Sequence, residues 1–249
     1  MKILLTNDDG IHSEGLIGLY RVLSQKHECT VIAPERENSA IGHAITLMHP
    51  LRVRRMRIKG MSGYAVSGTP ADCVKIGLKS LLMKKPDIVV SGINIGLNVG
   101  ANLIYSGTVS AAVEAGISGI SAISVSQKLS KDMDFNLSGS IVENFINTLK
   151  KVLLSSKKIL ININIPSGEI KGIKLTHQAN SVSRESIEKR IDPRGIAYYW
   201  IKGRLVSSDR DKYSDETTVS KGYISITPLH FDMTNYEVMK KLEKLIRDV

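Results

Sequence analysis

Two adjacent carboxylates, Asp8 and Asp9, stand in the stretch "ILLTNDDGIHSEGL", between apolar Ile3-Leu4-Leu5 and a helical pattern that starts at Ser13. At this strand-to-helix turn many α/β proteins use glycines to cradle a phosphate. Two acids aimed at a phosphate would repel it unless a cation lay between them. A divalent metal turns that repulsion into a clamp, neutralising phosphate oxygens and activating water. Oxygen-only donors (Asp, Asp, an Asn carbonyl, a hydroxyl) suit Mg²⁺ or Mn²⁺ rather than Zn²⁺. The bland alternative is an Asx-turn in which one of the two caps the following helix. A lone Asp would favour that alternative; an adjacent pair facing a phosphate-type loop favours the metal.

Such a loop exists. Asn94, Gly96, Asn98 and Gly100 of "SGINIGLNVG" follow the strand-like "DIVVS", and further on Ser106, Gly107 and Thr108 precede a helix of small residues, Ala111, Ala112 and Ala115. A helix N-terminus offers free N–H groups and a positive dipole end, and the hydroxyls add donors: an anion site, with phosphate the natural candidate. Ser and Thr also cap helices with no ligand near, so this signal alone is moderate. If the strands ending at Thr6 and Ser91 are neighbours, the two loops face each other beyond the carboxyl ends of a parallel sheet, where such sheets bind ligands. No GxGxxG follows the first strand, which makes hydride transfer a poor fit, and no GxSxG nucleophile elbow appears. The six histidines show no metal-ligand spacing. His43, in "SAIGHAIT", lies in a loop that could enter the cleft, and its role stays open.

The elements that must hold these residues alternate. "KILLT", "CTVIAP", "DIVVSG", "ISAISVS" and "ILININIP" read as strands. Helical spacing separates them at Leu16–Leu23, after the Thr69 cap and Pro70, and around Ile141–Leu154. This implies an α/β fold: a Rossmann-like, three-layer parallel sheet covered on both faces. "LRVRRMRIKG" reads as a half-buried strand with a register slip at Arg54-Arg55 and a solvated basic face. From about Lys171 the pattern changes to "GIKLTHQ", "GIAYYWIKG" and "GYISITPL", then a closing helix, Asn235 to Arg247. The expected organisation is an α/β core over 1–170 and, over 171–249, further strands, an oligomerisation hairpin arm and the terminal helix. The arm is expected over about Arg190 to Thr227, its two strands joined by the polar "SSDRDKYSDETTVSK", too polar to join a core.

The 249 residues suit one large domain or a domain with an appendage, and 42% hydrophobic content is ordinary for a globular core. No apolar run approaches a membrane span. With no signal-like N-terminus and only Cys29 and Cys73, neither a disulfide framework nor a cysteine zinc site is expected, and a cytoplasmic setting is. The formal charge of +10 favours phosphate-bearing partners without naming one.

Taken in order, "ILLTNDDGIHSEGL", "APERENSAIGHAITL", "GTPADCV", "SGINIGLNVG", "YSGTVSAAVEAG", "DPRGIAYYWI" and "GYISITPL" resemble the SurE survival-protein family of metal-dependent 5'-nucleotidases, most weakly between Gln127 and Lys158. The resemblance implies that Asp8, Asp9, Ser39 and Asn94 bind one divalent metal per subunit, Mg²⁺ or Mn²⁺. It also implies that Asn7, Asn98, Ser106, Gly107 and Thr108 line a phosphate site. Ser110 stands where members usually carry Gly or Ala. Family members hydrolyse nucleoside monophosphates, some also short polyphosphate, and form dimers or tetramers through an exchanged C-terminal hairpin.

The resulting expectation is a phosphomonoesterase with Asp8 and Asp9 catalytic, acting on a nucleoside monophosphate, with no membrane and no specific nucleic acid as partner. Direct water attack and an aspartyl-phosphate intermediate both remain open. The rival from another class is a non-catalytic module that captures RNA or polyphosphate through its charge.

Overall fold

The computed structural model describes residues 1–155, 158–207 and 211–246. The chain begins with β1 (Lys2–Thr6), α1 (Glu14–Leu23), β2 (Glu28–Pro34), β3 (Val53–Ile58), β4 (Met61–Val66) and α2 (Pro70–Ile76). β5 (Ile88–Ile95), α3 (Asn102–Tyr105), α4 (Gly107–Ile117), β6 (Ser121–Gln127), α5 (Phe135–Leu153) and β7 (Leu160–Ile165) follow. The remainder is β8 (Ile173–Leu175), β9 (Ser181–Ile191), β10 (Ala197–Ser207), α6 (Asp215–Ser220), β11 (Ile224–Leu229) and α7 (Tyr236–Ile246). Among the described residues nine strands form one sheet, ordered β3-β4-β2-β1-β5-β6-β7-β11-β8, antiparallel only at β3–β4 and β7–β11. The chain runs from β1 out to β2 on one side and returns as β5 on the other, so the strand order reverses at β1/β5. That is where an open α/β sheet has its crevice.

Period-two alternation sorts the strand side chains to two faces. Ile3, Leu5, Val90, Ile123 and Ile163 pack with Leu16, Leu19, Val142 and Ile146 of α1 and α5. Leu4, Val89, Ala122 and Leu160 pack with Val74 of α2 and Ala111, Ala112 and Ala115 of α4. The three-layer, largely parallel architecture expected from the sequence is the one observed.

Toward the carboxyl ends of the strands the second face turns polar. Thr6, Ser91, Ser124, Asn162 and Thr227 pair in register across five strands, and one step on Asn94, Ser126, Asn164 and Ser225 do the same. Of these nine, all but Asn94 are buried. A bulge in β5 between Ser91 and Asn94 brings Asn94 onto its rung, and bulges near sites re-aim side chains in this way. It needs glycine: Gly92 has φ of +135°, and a Cβ there would lie 2.4 Å from the Val125 carbonyl oxygen.

Several expectations need correction. The β3–β4 register runs unbroken from Val53↔Val66 to Ile58↔Met61, so there is no slip at Arg54-Arg55. β3 is the sheet edge; Val53 packs on one core while Met56 and Ile58 pack on the other, which produces the broken alternation without a bulge. The helix capped by Thr69 ends at Ile76 and continues as one π-helical turn, Gly77–Leu81.

The arm is a hairpin, but β10 pairs with β9, whereas "GYISITPL" supplies β11 of the main sheet, between β7 and β8. Nor is "SSDRDKYSDETTVSK" simply a solvated linker. Residues 208–210 lie outside the described residues, but Ser214, Asp215, Thr218 and Val219 are buried in and beside α6. Arg247 of the expected closing helix is likewise outside the described residues.

Candidate active site

β1 delivers Asn7, Asp8 and Asp9 to the crevice as a turn rather than as a helix cap. The cap of α1 is Ser13, whose hydroxyl accepts from the Leu16 N–H (3.3 Å) and from Asn7 Nδ2 (2.7 Å). Neither carboxylate is therefore occupied in the Asx-cap role. Asn7 spends its amide hydrogens on Ser13 and on the Gly10 carbonyl (3.0 Å). Its Oδ1, like Asp9 Oδ2, is buried with no hydrogen-bond partner. Two orphaned acceptors beside a second buried carboxylate are costly unless a cation or proton is supplied.

The facing loops close on this turn. The Ile95 backbone hydrogen-bonds to the Asp9 carboxylate. Asp8 Oδ1 accepts from the Thr108 hydroxyl (2.5 Å), and the Asp8 carbonyl accepts from Asn38 N–H (2.8 Å), which brings in the segment carrying Ser39. Burial pushes the Asp8 carboxyl above its ordinary range despite the Thr108 hydrogen bond. Burial first, then the charges of Asp8 and Glu37, push Asp9 up to about 6. With only protein groups around it, each carboxylate is thus disfavoured, a penalty that a bound cation would reverse.

The donor chemistry fits a hard divalent ion: two carboxylates, an orphaned amide oxygen and neighbouring neutral oxygens. Among the described residues no group of three or more His, Cys, Asp and Glu is placed to hold a metal. Ser39 is exposed and its hydroxyl donates to Glu37 Oε1 (2.5 Å). Asn94 donates Nδ2 to the Gly96 carbonyl (2.8 Å), fixing its amide at the end of β5.

The facing side of the crevice is built on α4. Ser106 is its N-cap, accepting from Val109 N–H (3.1 Å), and its own hydroxyl hydrogen remains a donor. Gly107 and Thr108 form the first turn. Ser110 turns inward and donates to the Ser106 carbonyl (2.7 Å), so the extra hydroxyl is absorbed by the helix. Asn98 is buried and donates Nδ2 to Ser126 Oγ (2.8 Å). His43 pairs with Glu114 of α4 (3.0 Å), which also takes Lys75 of α2 (2.6 Å). Burial raises the Glu114 carboxyl, but His43 and Lys75 outweigh it and hold it below the ordinary value. His43 therefore docks its loop onto α4.

Sequence reasoning passed over Glu37, whose charge reaches both Asp8 and Asp9, and Asp215, which is fully buried and accepts from Gly100 N–H (3.0 Å) and Ala179 N–H (2.9 Å). The signal for Asp215 was the "YSDE" run, where Ser214 caps α6.

Fold and site together define an α/β protein whose buried carboxylate pair, Asp8 and Asp9, stands at the sheet crevice against the N-terminus of α4. Residues 3–185 match the family model described as Survival protein SurE. Over 97% of both chains, 48% of residues are identical to the 5'-nucleotidase SurE of Thermoanaerobacter sp. (strain X514). A 5'-nucleotidase SurE from Pelotomaculum thermopropionicum is 46% identical over 99% of this chain and 96% of its own. The crystal structure of the SurE protein from Aquifex aeolicus matches with a TM-score of 0.84 at 38% identity, covering 98% and 99% of the two chains. The chain belongs to the SurE survival-protein family.

Proposed function

We propose that this protein is a divalent-metal-dependent 5'-nucleotidase, a phosphomonoesterase that hydrolyses nucleoside monophosphates to nucleoside and phosphate. The observation that carries the reading is the pair of orphaned buried acceptors, Asn7 Oδ1 and Asp9 Oδ2, beside Asp8 and against the first turn of α4. The names of the relatives support it. Asp8, Asp9, Ser39 and Asn94 would hold Mg²⁺ or Mn²⁺, one per subunit, with Asn7 Oδ1 adjacent. When bound, that ion supplies Lewis-acid polarisation and lowers the pKa of water.

The rest is the chain's own work. The N-terminus of α4, with the Ser106 hydroxyl and Gly107, receives the phosphoryl oxygens, and Asn98 adds a side-chain amide. Thr108 holds the Asp8 carboxylate through its hydroxyl while its backbone closes the helix turn. Asp8 or Asp9 orients the attacking water or takes its proton. A cavity of about 410 Å³ lined by Arg36, Glu37, Asn38, Thr46, Ser67 and Thr69 offers room for the nucleoside, and Asn38 on its wall bonds the Asp8 carbonyl.

The assembly we propose is a homodimer or homotetramer built through an exchanged C-terminal hairpin, which lies in the 171–249 part beyond the 1–170 core. Tyr199, Trp200 and Ile201 of the hairpin are exposed, and no residue of α7 is buried although Val238, Met239, Leu242 and Leu245 form an apolar stripe. No helix among the described residues is long and apolar enough to cross a membrane, and a cytoplasmic setting belongs to the same reading.

Phosphate release from several nucleoside monophosphates and from short polyphosphate, with and without EDTA, tests the function. The expected result is turnover abolished by chelator and restored by Mn²⁺. Binding without turnover, falling steeply with salt and indifferent to EDTA, would instead establish the binding module.

A further inference from the structure

Asn162 and Asn164 are fully buried in β7, and both reach out of the sheet to the same acceptor, the Asn98 carbonyl (2.8 and 2.9 Å). Asn164 also accepts the Asn98 N–H through Oδ1 (2.9 Å), so its carboxamide pairs with the Asn98 backbone as a neighbouring strand would. Ser126 Oγ takes the Asn98 side-chain amide (2.8 Å), and the Ser124 hydroxyl donates to Asn162 Oδ1 (2.8 Å), which fixes the direction of the Asn162 amide. From the opposite side Asp215 takes Gly100 N–H (3.0 Å), and Gln178 Nε2 donates to the Gly100 carbonyl (2.8 Å).

Burying two carboxamides in a central strand is unfavourable unless every donor and acceptor is satisfied. Apolar residues at these positions would serve the sheet as well, as Ile161 and Ile163 do on the other face. The hydrogen bonds go instead to a loop containing Gly96 and Gly100, whose ordering costs conformational entropy. A loop that must offer dipoles to an anion works best when that ordering precedes binding.

We propose that Asn162 and Asn164, with Ser126, are positioning residues that hold the 98–100 loop in its anion-binding conformation and present the Asn98 carboxamide to the phosphoryl group. The proposal rests on the phosphomonoesterase reading for its kinetic consequence, but the loop ordering is measurable without turnover. Asn164→Asp keeps size and the acceptor for Asn98 N–H while replacing the donor to Asn98 carbonyl with an oxygen. Asn162→Ser is the gentler variant should that one fold poorly. Ser225→Ala is the control: its hydroxyl shares the Asn164 rung and has no hydrogen-bond partner.

Hydrogen exchange of the 96–100 segment is read on the full-length protein, together with kcat/KM and inhibition by inorganic phosphate. The expected result is faster exchange at 96–100 in Asn164→Asp and in Asn162→Ser. With it come a drop of about tenfold to a hundredfold in kcat/KM, a comparable weakening of phosphate inhibition and an unchanged Mn²⁺ affinity. Ser225→Ala matches the wild type throughout. Wild-type exchange at 96–100, or kcat/KM and phosphate inhibition within about threefold of wild type in an active enzyme, overturns the positioning role. A wild-type protein that turns over no nucleotide sinks the functional reading instead, and the exchange result then decides the loop assignment alone.

Discussion

Gly107 lies against Asp8 so closely that a Cβ at 107 would sit 2.8 Å from Asp8 Cβ and 3.1 Å from its Oδ2. No positive φ is involved; the space itself requires glycine. The turn after β1 and the start of α4 are thus one interlocked object, with carboxylate and helix N-terminus at contact distance. Gly107→Ala should push Asp8 or α4 out of place. The expected effect is a loss of about 100-fold in kcat/KM with a cost of about 1–3 kcal/mol in stability. Steady-state kinetics and thermal melting check it.

Asp9 supplies a pH signature. In the metal-free protein its pKa is about 6, above the ordinary 3.8, so the folded state keeps a proton that the unfolded chain has released between those values. Stability from this group is therefore present at low pH and lost as pH rises through about 6. Asp8 and Asp215, also raised by burial, slope the same way and Glu114, held low, the opposite way, so the comparison is with Asp9→Asn, which should lack this component. Melting curves of both metal-free proteins from about pH 4 to about pH 7 read the difference. Mn²⁺ affinity of the wild type should rise over the same range, because metal and proton compete for one carboxylate.

Thr108→Val removes the hydroxyl that donates to Asp8 Oδ1. A hydrogen bond to a charged group is worth about 1.5–3 kcal/mol, and here the charged group is a proposed metal ligand. Turnover and metal affinity should fall together, and phosphate inhibition with them. Calorimetric Mn²⁺ titration beside the kinetics separates this from a simple helix-cap role, which would move the melting temperature alone.

What could be read from the sequence was what adjacent residues spell out. Asp8-Asp9 at a strand end, Thr69-Pro70 at a helix start and Ser106 before small residues are local statements, and each stands where it was expected. Pairing partners are not local. Nothing in "GYISITPL" says that it joins β7 rather than a hairpin, and the polar composition of "SSDRDKYSDETTVSK" concealed that Asp215 is fully buried as a backbone anchor. Asn162 and Asn164 were visible as polar residues alternating with isoleucines in "ILININIP". Their meaning depends on Asn98, more than sixty positions away.

The exposed stripe of α7 and the aromatic face of the hairpin predict assembly. Light scattering should give at least twice the 27.3 kDa chain mass for the full-length protein. Removal of α7 together with the β9–β10 hairpin should leave a monomer. A full-length monomer at micromolar concentration would contradict the exchange.

The proposed function stands most directly on the cation assigned to Asp8 and Asp9. Mn²⁺ titration of the metal-stripped protein, followed by electron paramagnetic resonance, counts bound ions without reference to turnover. One ion per chain is predicted for the wild type, with binding lost or greatly weakened in Asp8→Asn and Asp9→Asn while both variants keep their fold by circular dichroism. A wild-type protein that binds no Mn²⁺ at millimolar concentration, or variants that bind it as tightly as the wild type, would contradict the account.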